Sequence, residues 1–202
     1  EAFSRYIQER SKLMYPVGSG LKSLLDKILT DERWDLKLIG MQIIIEGLAL
    51  AAFNTAKAVT PDPVLRDLLH FIIRDEARHV TFGVNYLEEF IENLSDEERE
   101  DRAMFAYEAC VISKERLFPT DVFRRFGWDE DEAREFSNNA GFALEFQRLL
   151  FARVMPNLSR IGLLTDKVRP LYDRLGVLEF ESHSTDGDIS WAELEKPLDL
   201  SA

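Results

Sequence analysis

The feature that most constrains the fold is a long apolar segment that carries one acidic residue. Within residues 36–58, the sequence IGMQIIIEGLALAAFNTA contains Glu46, the only formally charged residue between Lys37 and Lys57. Apolar residues flank Glu46 almost all round a helical wheel, which is typical of a buried helix rather than a surface one. Glutamate is seldom buried unless it is paired or bound to a metal. The segment therefore predicts a core helix that brings an acid into the interior.

The next segment carries a second acid and a histidine. In FIIRDEARHVTFG, residues 71–83, Glu76 and His79 are three positions apart, so on a helix they share one face about one turn apart. Their neighbours on that face, such as Ile72 and Val80, are apolar. By itself the Glu-x-x-His spacing is a weak signal, because a surface helix with solvated charges shows the same pattern.

The two segments together favour a metal site. Desolvating a carboxylate and an imidazole in an apolar stripe is costly without a partner, and a metal cation is such a partner. In four-helix bundles that hold two metal ions, two helices supply a lone Glu and the other two supply Glu-x-x-His. We therefore predict that Glu46, Glu76 and His79 bind metal. A buried hydrogen-bonded network is the alternative.

Read in order, the chain is almost entirely helical in pattern, with no β-hairpin signature. Asp62-Pro63 and the capping boxes Ser95-x-x-Glu98 and Asp129-x-x-Glu132 predict helix starts, and Thr30 is the predicted N-cap of the apolar helix. The predicted helices cover residues 1–15, 21–29, 36–58, 64–91, 96–118, 129–154 and 158–175, with Pro156 as a stop and Pro170 as a kink or a new start.

Composition limits the possible partners and the compartment. The 202 residues carry a net charge of −12, which disfavours nonspecific binding to nucleic acid or anionic membranes. The longest apolar run, residues 39–53, is too short and too polar to span a membrane. The single Cys110 suits a reducing cytosol and is predicted to be a small core residue. We therefore predict a cytoplasmic globular protein.

Glu46 in IIIEGLALAAF, followed by Asp75-Glu76-Ala77-Arg78-His79, resembles the second half of a ferritin-like di-iron carboxylate protein. The resemblance is strongest to the ribonucleotide-reductase small-subunit-like oxidases and oxygenases, including the arylamine N-oxygenases. It implies an all-α fold, a ferritin-like four-helix bundle with additional C-terminal helices. The resemblance covers residues 1–92, which would form the bundle. From pattern and composition we predict that residues 93–175 form additional helices packed on the bundle. Residues 176–202 are predicted to be an acidic peripheral tail, in which the sequence after Ser190 could form a short helix.

The resemblance also implies roles for individual residues. Glu46 would be a bridging or mobile ligand, Glu76 would bridge or chelate the metals, and His79 would bind one of them. Asp75 would orient a ligand histidine of the other motif, and Arg78 would pair with Asp75 or another buried acid. The family pattern has a first Glu and a first Glu-x-x-His upstream of the lone Glu, and neither occurs here. We expect the two helices that carry them to precede residue 1; otherwise only self-association could complete the site.

The implied activity is that of an oxygenase or oxidase that activates O2 with two metal ions, Fe/Fe or Mn/Fe. Its substrate would be a small apolar, aromatic or amine compound, reduction would come from an external electron donor, and the protein would be a homodimer. A radical-generating reductase-like subunit, an iron-storage or structural bundle, and a non-enzymatic bundle with buried salt bridges are the alternatives. Candidate walls of a substrate cavity, each equally well explained as core packing, are Ile39, Ile43, Phe53, Ile72 and Phe82.

Overall fold

The structure of the chain is a computed structural model that describes residues 1–14, 16–118 and 120–183. Within these ranges the regular structure is entirely helical and contains no β-strand. The all-α prediction is therefore confirmed. The predicted short helix after Ser190 and most of the predicted acidic tail lie outside the described residues.

Ten α-helices, one π-helical segment and one 3₁₀ helix make up the described fold. They are α1 (Ala2–Ser11), α2 (Ser19–Thr30), α3 (Trp34–Leu38), the π segment (Ile39–Ile45), α4 (Glu46–Val59), α5 (Pro63–Glu92), α6 (Asp96–Glu115), α7 (Thr120–Arg125), α8 (Glu130–Asn139), α9 (Gly141–Arg160), α10 (Arg169–Leu175) and the 3₁₀ helix Leu178–Ser182.

Three predicted helix starts are confirmed by hydrogen bonds. The Asp62 side chain accepts from the first backbone amides of α5, Asp129 does the same for α8, and Ser95 forms a complete capping box with Glu98 at the start of α6. Each acceptor satisfies an amide that has no partner within its helix. Helix α10 begins at Arg169 and has Pro170 in its first turn, so the prediction of a new helix start at Pro170 is confirmed, to within one residue, over that of a kink.

Other helix boundaries differ from the prediction. Thr30 ends α2 instead of capping the next helix, and its hydroxyl donates to the Asp26 carbonyl. The predicted helix 129–154 is interrupted at Ala140, where the backbone is extended, and Pro156 lies inside α9 rather than ending it. Proline removes only one helical hydrogen bond, and the buried neighbours Met155 and Leu158 anchor α9 on both sides of it.

The core forms around α4, which packs against α5 on one side and α9 on the other. Leu48 of α4, Ile73 of α5 and Phe151 of α9 are almost completely buried, and α2, α6 and α10 contribute further apolar residues to the same cluster. Cys110 is fully buried, and burial raises the pKa of its thiol to about 12, which agrees with the predicted core role.

One continuous helical stretch, Trp34–Val59, is apolar and long enough to cross a membrane by length and composition; its most apolar window of 18 residues has a mean hydropathy of 1.8. Half of its most apolar window is buried within the fold, as in a core helix. This criterion is weak evidence for a membrane span, because core helices commonly satisfy it.

The first residues of the predicted peripheral tail, 176–183, belong to the packed fold. Gly176 ends α10 with a left-handed backbone, φ 75°, which glycine adopts without steric cost. The chain then folds back over α9 and α10, where Val177 and Phe180 are buried. The mainly polar composition of this segment led to the prediction of a peripheral tail, although Val177 and Phe180 are buried in the fold.

Candidate metal centre

Glu46 lies where the helical hydrogen-bond pattern changes. The Glu46 amide donates to the Met41 carbonyl, five residues back, and the regular α-helix resumes from Glu46 onward. A π turn contains an additional residue and changes the direction in which the following side chains point. It is frequent at functional sites for this reason. Here it aims the Glu46 carboxylate towards α5.

The π segment is held close to its neighbours by two glycines. A Cβ added to Gly83 of α5 would lie 2.5 Å from Cβ of Gln42, and one added to Gly40 would lie 2.5 Å from Cγ1 of Ile28. Real Cβ atoms do not approach other carbon atoms this closely. The glycines therefore allow the π segment to pack directly against α5 and α2, which sets the distance between Glu46 and the residues of α5.

The side chains of Glu46, Glu76 and His79 converge. His79 Nδ1 lies 3.4 Å from Glu76 Oε2 and 3.8 Å from Glu46 Oε2, and one ligand atom from each residue falls within 4.8 Å of the others. Ligand atoms at roughly 2.0–2.2 Å from one cation are necessarily within about 4.4 Å of each other. The three predicted ligands therefore lie close together, and the distances between their ligand atoms are close to those that a single bound ion requires.

The electrostatics of this cluster are unfavourable without a cation. Glu46 Oε2 is inaccessible to solvent and has no hydrogen-bond partner among the described residues. Burial raises the pKa of Glu46, the nearby Glu76 carboxylate raises it further, and His79 opposes both effects. Two carboxylates and an imidazole offer oxygen and nitrogen ligand atoms that could hold a divalent cation.

The cluster is buried on one side and open on the other. The side chain of Glu46 is 14% exposed and that of Glu76 24%, whereas that of His79 is 57% exposed. Ala77 and Val80, which alternate with the ligands on α5, are buried against the core. The three ligands therefore lie at the boundary between the core and the outer face of α5.

The residues predicted to support the ligands occupy that outer face. Arg78 Nη1 lies 3.5 Å from Asp75 Oδ1, and both side chains are about half exposed. Arg74 is also within 3.8 Å of Asp75. The predicted pairing of Arg78 with Asp75 is present, while the orientation of a second ligand histidine by Asp75 stays a prediction.

The predicted cavity walls separate into two groups. Ile39 and Ile43 are completely buried and line the core behind Glu46, whereas Phe53 and Ile72 are partly buried. Phe82 is 60% exposed and stacks on Tyr86, with ring centroids 5.8 Å apart. It forms part of the surface beside the ligands rather than an interior wall.

The two histidines outside the cluster have other surroundings. His70 is buried, and its Nδ1 lies 3.2 Å from Lys57 Nζ. His183 lies at the end of the 3₁₀ helix and packs against Phe180. Neither is a member of the group formed by Glu46, Glu76 and His79.

No family model matches the sequence, and comparisons with curated proteins and with solved structures found no significant match. The assignment of the site therefore depends on the residues and their geometry.

Replacing Gly83 with alanine is expected to weaken metal binding about tenfold and to destabilise the fold by about 1–3 kcal/mol. The new methyl group would collide with Gln42 and push α5 away from the π segment, separating Glu46 from Glu76 and His79. Metal titration and urea unfolding measure the two effects. In an uncrowded helix the same change would be stabilising, so a more stable Gly83→Ala protein would contradict the close-packing argument. Gly141→Ala, where nothing lies within 4 Å, is the control.

Proposed function

We propose that the chain provides Glu46, Glu76 and His79 to a dinuclear-metal oxidoreductase centre of the ferritin-like type that activates O2. The observation that carries the proposal is the buried Glu46 oxygen, which has no hydrogen-bond partner in the described structure and lies 3.8 Å from His79 Nδ1. A carboxylate in this position gains a counter-charge when a cation binds. The all-helical fold and the Glu-x-x-His spacing on α5 agree with a bundle of this type.

The residues of this chain would perform three tasks. Glu46 and Glu76 supply the anionic ligand atoms, and His79 supplies a neutral nitrogen. Buried Ile39 and Ile43 keep water away from the rear of the site, which strengthens every electrostatic interaction within it. When bound, two Fe ions, or one Mn and one Fe, supply the electrons that begin the reduction of O2.

Substrate oxidation is better supported than radical storage. A tyrosine that stores a radical near the metals is best shielded from solvent, whereas Tyr86 is 54% exposed and contacts Phe82 and Trp34 on the outer surface. The aromatic side chains beside the open ligand side offer contacts to a small apolar, aromatic or amine substrate. An external electron donor would return the centre to its reduced state.

The proposal is tested by anaerobic titration of the chain with Fe(II) or Mn(II), followed by exposure of the Fe(II) form to O2. We expect saturable binding and O2 consumption that depends on bound iron. His79→Ala removes a ligand and is expected to lower the affinity about 100-fold, at or above the upper end of the roughly 10–100-fold losses caused by removing groups that only support a ligand. His183→Ala is the matched control. Binding that is absent, or equal in the His79→Ala protein and the control, would contradict the assignment.

A further inference from the structure

Helices α7 and α8, with the turn between them, expose large apolar side chains. In the described structure no residue of α7 is buried, and in α8 Ala133 alone is. Phe126 is 71% exposed, Trp128 56% and Phe136 70%. Large apolar side chains grouped on a surface are typical of a contact with another molecule. This surface belongs to elements other than α4 and α5, which carry the metal centre.

The turn between α7 and α8 holds the Trp128 side chain in place. Gly127 follows α7 with a left-handed backbone, φ 70°, and the Trp128 amide donates to the Phe123 carbonyl. The Trp128 indole stacks on the Phe123 ring, with centroids 5.3 Å apart. Asp129 then caps the start of α8 with its side chain. Trp128 is therefore exposed but fixed, which lowers the entropy that a binding partner must remove.

Trp128 and Phe136 line a cleft of about 510 Å³. Ligand-binding clefts commonly have volumes of roughly 300–1,000 Å³. We term this one the aromatic cleft; it is lined by Gly127, Trp128, Asp129, Glu132, Ala133 and Phe136. The charged residues in this lining, Asp129 and Glu132, are both acidic. The aromatic cleft thus combines two exposed rings with carboxylates.

The charges around the aromatic cleft favour a cationic ligand. Residues 120–136 contain six acidic residues and three Arg residues. Two of these Arg side chains are already engaged, because Arg124 Nη2 lies 2.7 Å from Glu130 Oε1 and Arg134 Cζ lies 4.3 Å from the Phe118 ring centroid. The second contact shows that a ring of this aromatic region already holds a guanidinium. A ring face attracts a cation, and a nearby carboxylate adds to that attraction.

We propose that the aromatic cleft docks a basic segment of a partner protein. An Arg or Lys side chain of that segment packs on the rings of Trp128 and Phe136, and its charge lies beside the exposed Glu132. The exposed Phe126 extends the surface to an apolar residue of the same segment. Trp and Arg are the residues that most often dominate the binding energy of protein interfaces.

Charge selects this occupant over the other candidates. A second copy of the chain also has a net charge of −12, so it is repelled by an acidic cleft. Residues 184–202 contain five acidic residues and one Lys, so their sequence is not complementary to the cleft either. An anionic membrane surface is disfavoured for the same reason.

Titration of the chain with two fluorescently labelled peptides tests the proposal, with anisotropy as the measurement and EDTA present so that metal plays no part. Both peptides are amphipathic helices with Leu on one side; the other side is Arg in the first and Glu in the second. We expect the Arg peptide alone to bind, and Trp128→Ala to weaken its binding at least tenfold. Trp34→Ala is the matched control, because Trp34 is 43% exposed but lies on α3.

A pair of charge variants separates binding in the cleft from general attraction to an acidic protein. Glu132→Lys and Glu97→Lys change the net charge equally, and both residues are exposed in the first turn of a helix. At physiological salt, where charges more than about 8 Å apart are largely screened, we expect only Glu132→Lys to weaken binding, by tenfold or more. Equal losses in these two variants, or in Trp128→Ala and Trp34→Ala, would overturn the proposal. Binding of the chain to phosphatidylglycerol vesicles that Trp128→Ala abolishes would also overturn it, because the cleft would then serve a membrane.

Discussion

Replacing Glu46 with glutamine is expected to weaken Fe(II) or Mn(II) binding by about 100-fold or more, and at the same time to stabilise the metal-free protein. Loss of a ligand carboxylate should exceed the roughly 10–100-fold losses caused by removing groups that only support a ligand. The stabilising effect arises because Glu46 Oε2 is buried without a hydrogen-bond partner in the described structure and lies close to the Glu76 carboxylate. Glutamine keeps the shape but removes the buried charge, which we expect to add about 1 kcal/mol of stability.

The two opposite effects distinguish a metal ligand from a structural residue. Equilibrium dialysis with metal analysis measures the affinity, and urea unfolding in EDTA measures the stability. Glu89→Gln, on the exposed side of α5, removes the same charge away from the cluster and is expected to change neither quantity appreciably. A Glu46→Gln protein that unfolds more easily in EDTA and keeps its metal affinity would show that Glu46 belongs to a structural hydrogen-bond network.

The parts of the site that could be predicted from sequence are those that local patterns encode. The spacing of Glu76 and His79 fixes their common side on α5, because a helix has a constant periodicity. The single charge of Glu46 in an apolar helix predicted its burial, and its 14% exposed side chain agrees with that. These local rules were sufficient to select the three residues that the structure brings together.

The features that could not be predicted depend on contacts between distant segments. The π segment has no sequence signature of its own, and its close approach to α5 depends on Gly83 meeting Gln42 across 41 positions. The 57% exposure of His79 likewise depends on what covers α5, which periodicity does not determine. Helix ends at Thr30 and Ala140 differed from prediction for the same reason, since packing can override local capping preferences.

Arg102→Ala is expected to destabilise the fold by about 3–5 kcal/mol, equivalent to a Tm lower by roughly 6–20 °C. Arg102 Nε donates to Asp35 Oδ2 at 2.8 Å, and the Asp35 side chain is only 3% exposed. Removal of the guanidinium leaves an unpaired carboxylate at the start of α3, immediately before the π segment that positions Glu46. The loss should therefore also loosen the metal centre.

Two variants separate the buried pair from the surface charges around it. Asp101, which contacts both Arg102 and Arg33, is 51% exposed, so Asp101→Ala is expected to cost no more than about 1 kcal/mol. The double variant Asp35→Leu with Arg102→Met replaces the pair with apolar groups and should recover most of the stability, because the penalty arises from the unpaired charge rather than from the lost attraction. Differential scanning calorimetry of the three proteins measures these effects. If Arg102→Ala and Asp101→Ala were equally stable, Asp35 would have to reach water or another donor once Arg102 is removed, and the pair would not fix the start of the helix that leads to Glu46.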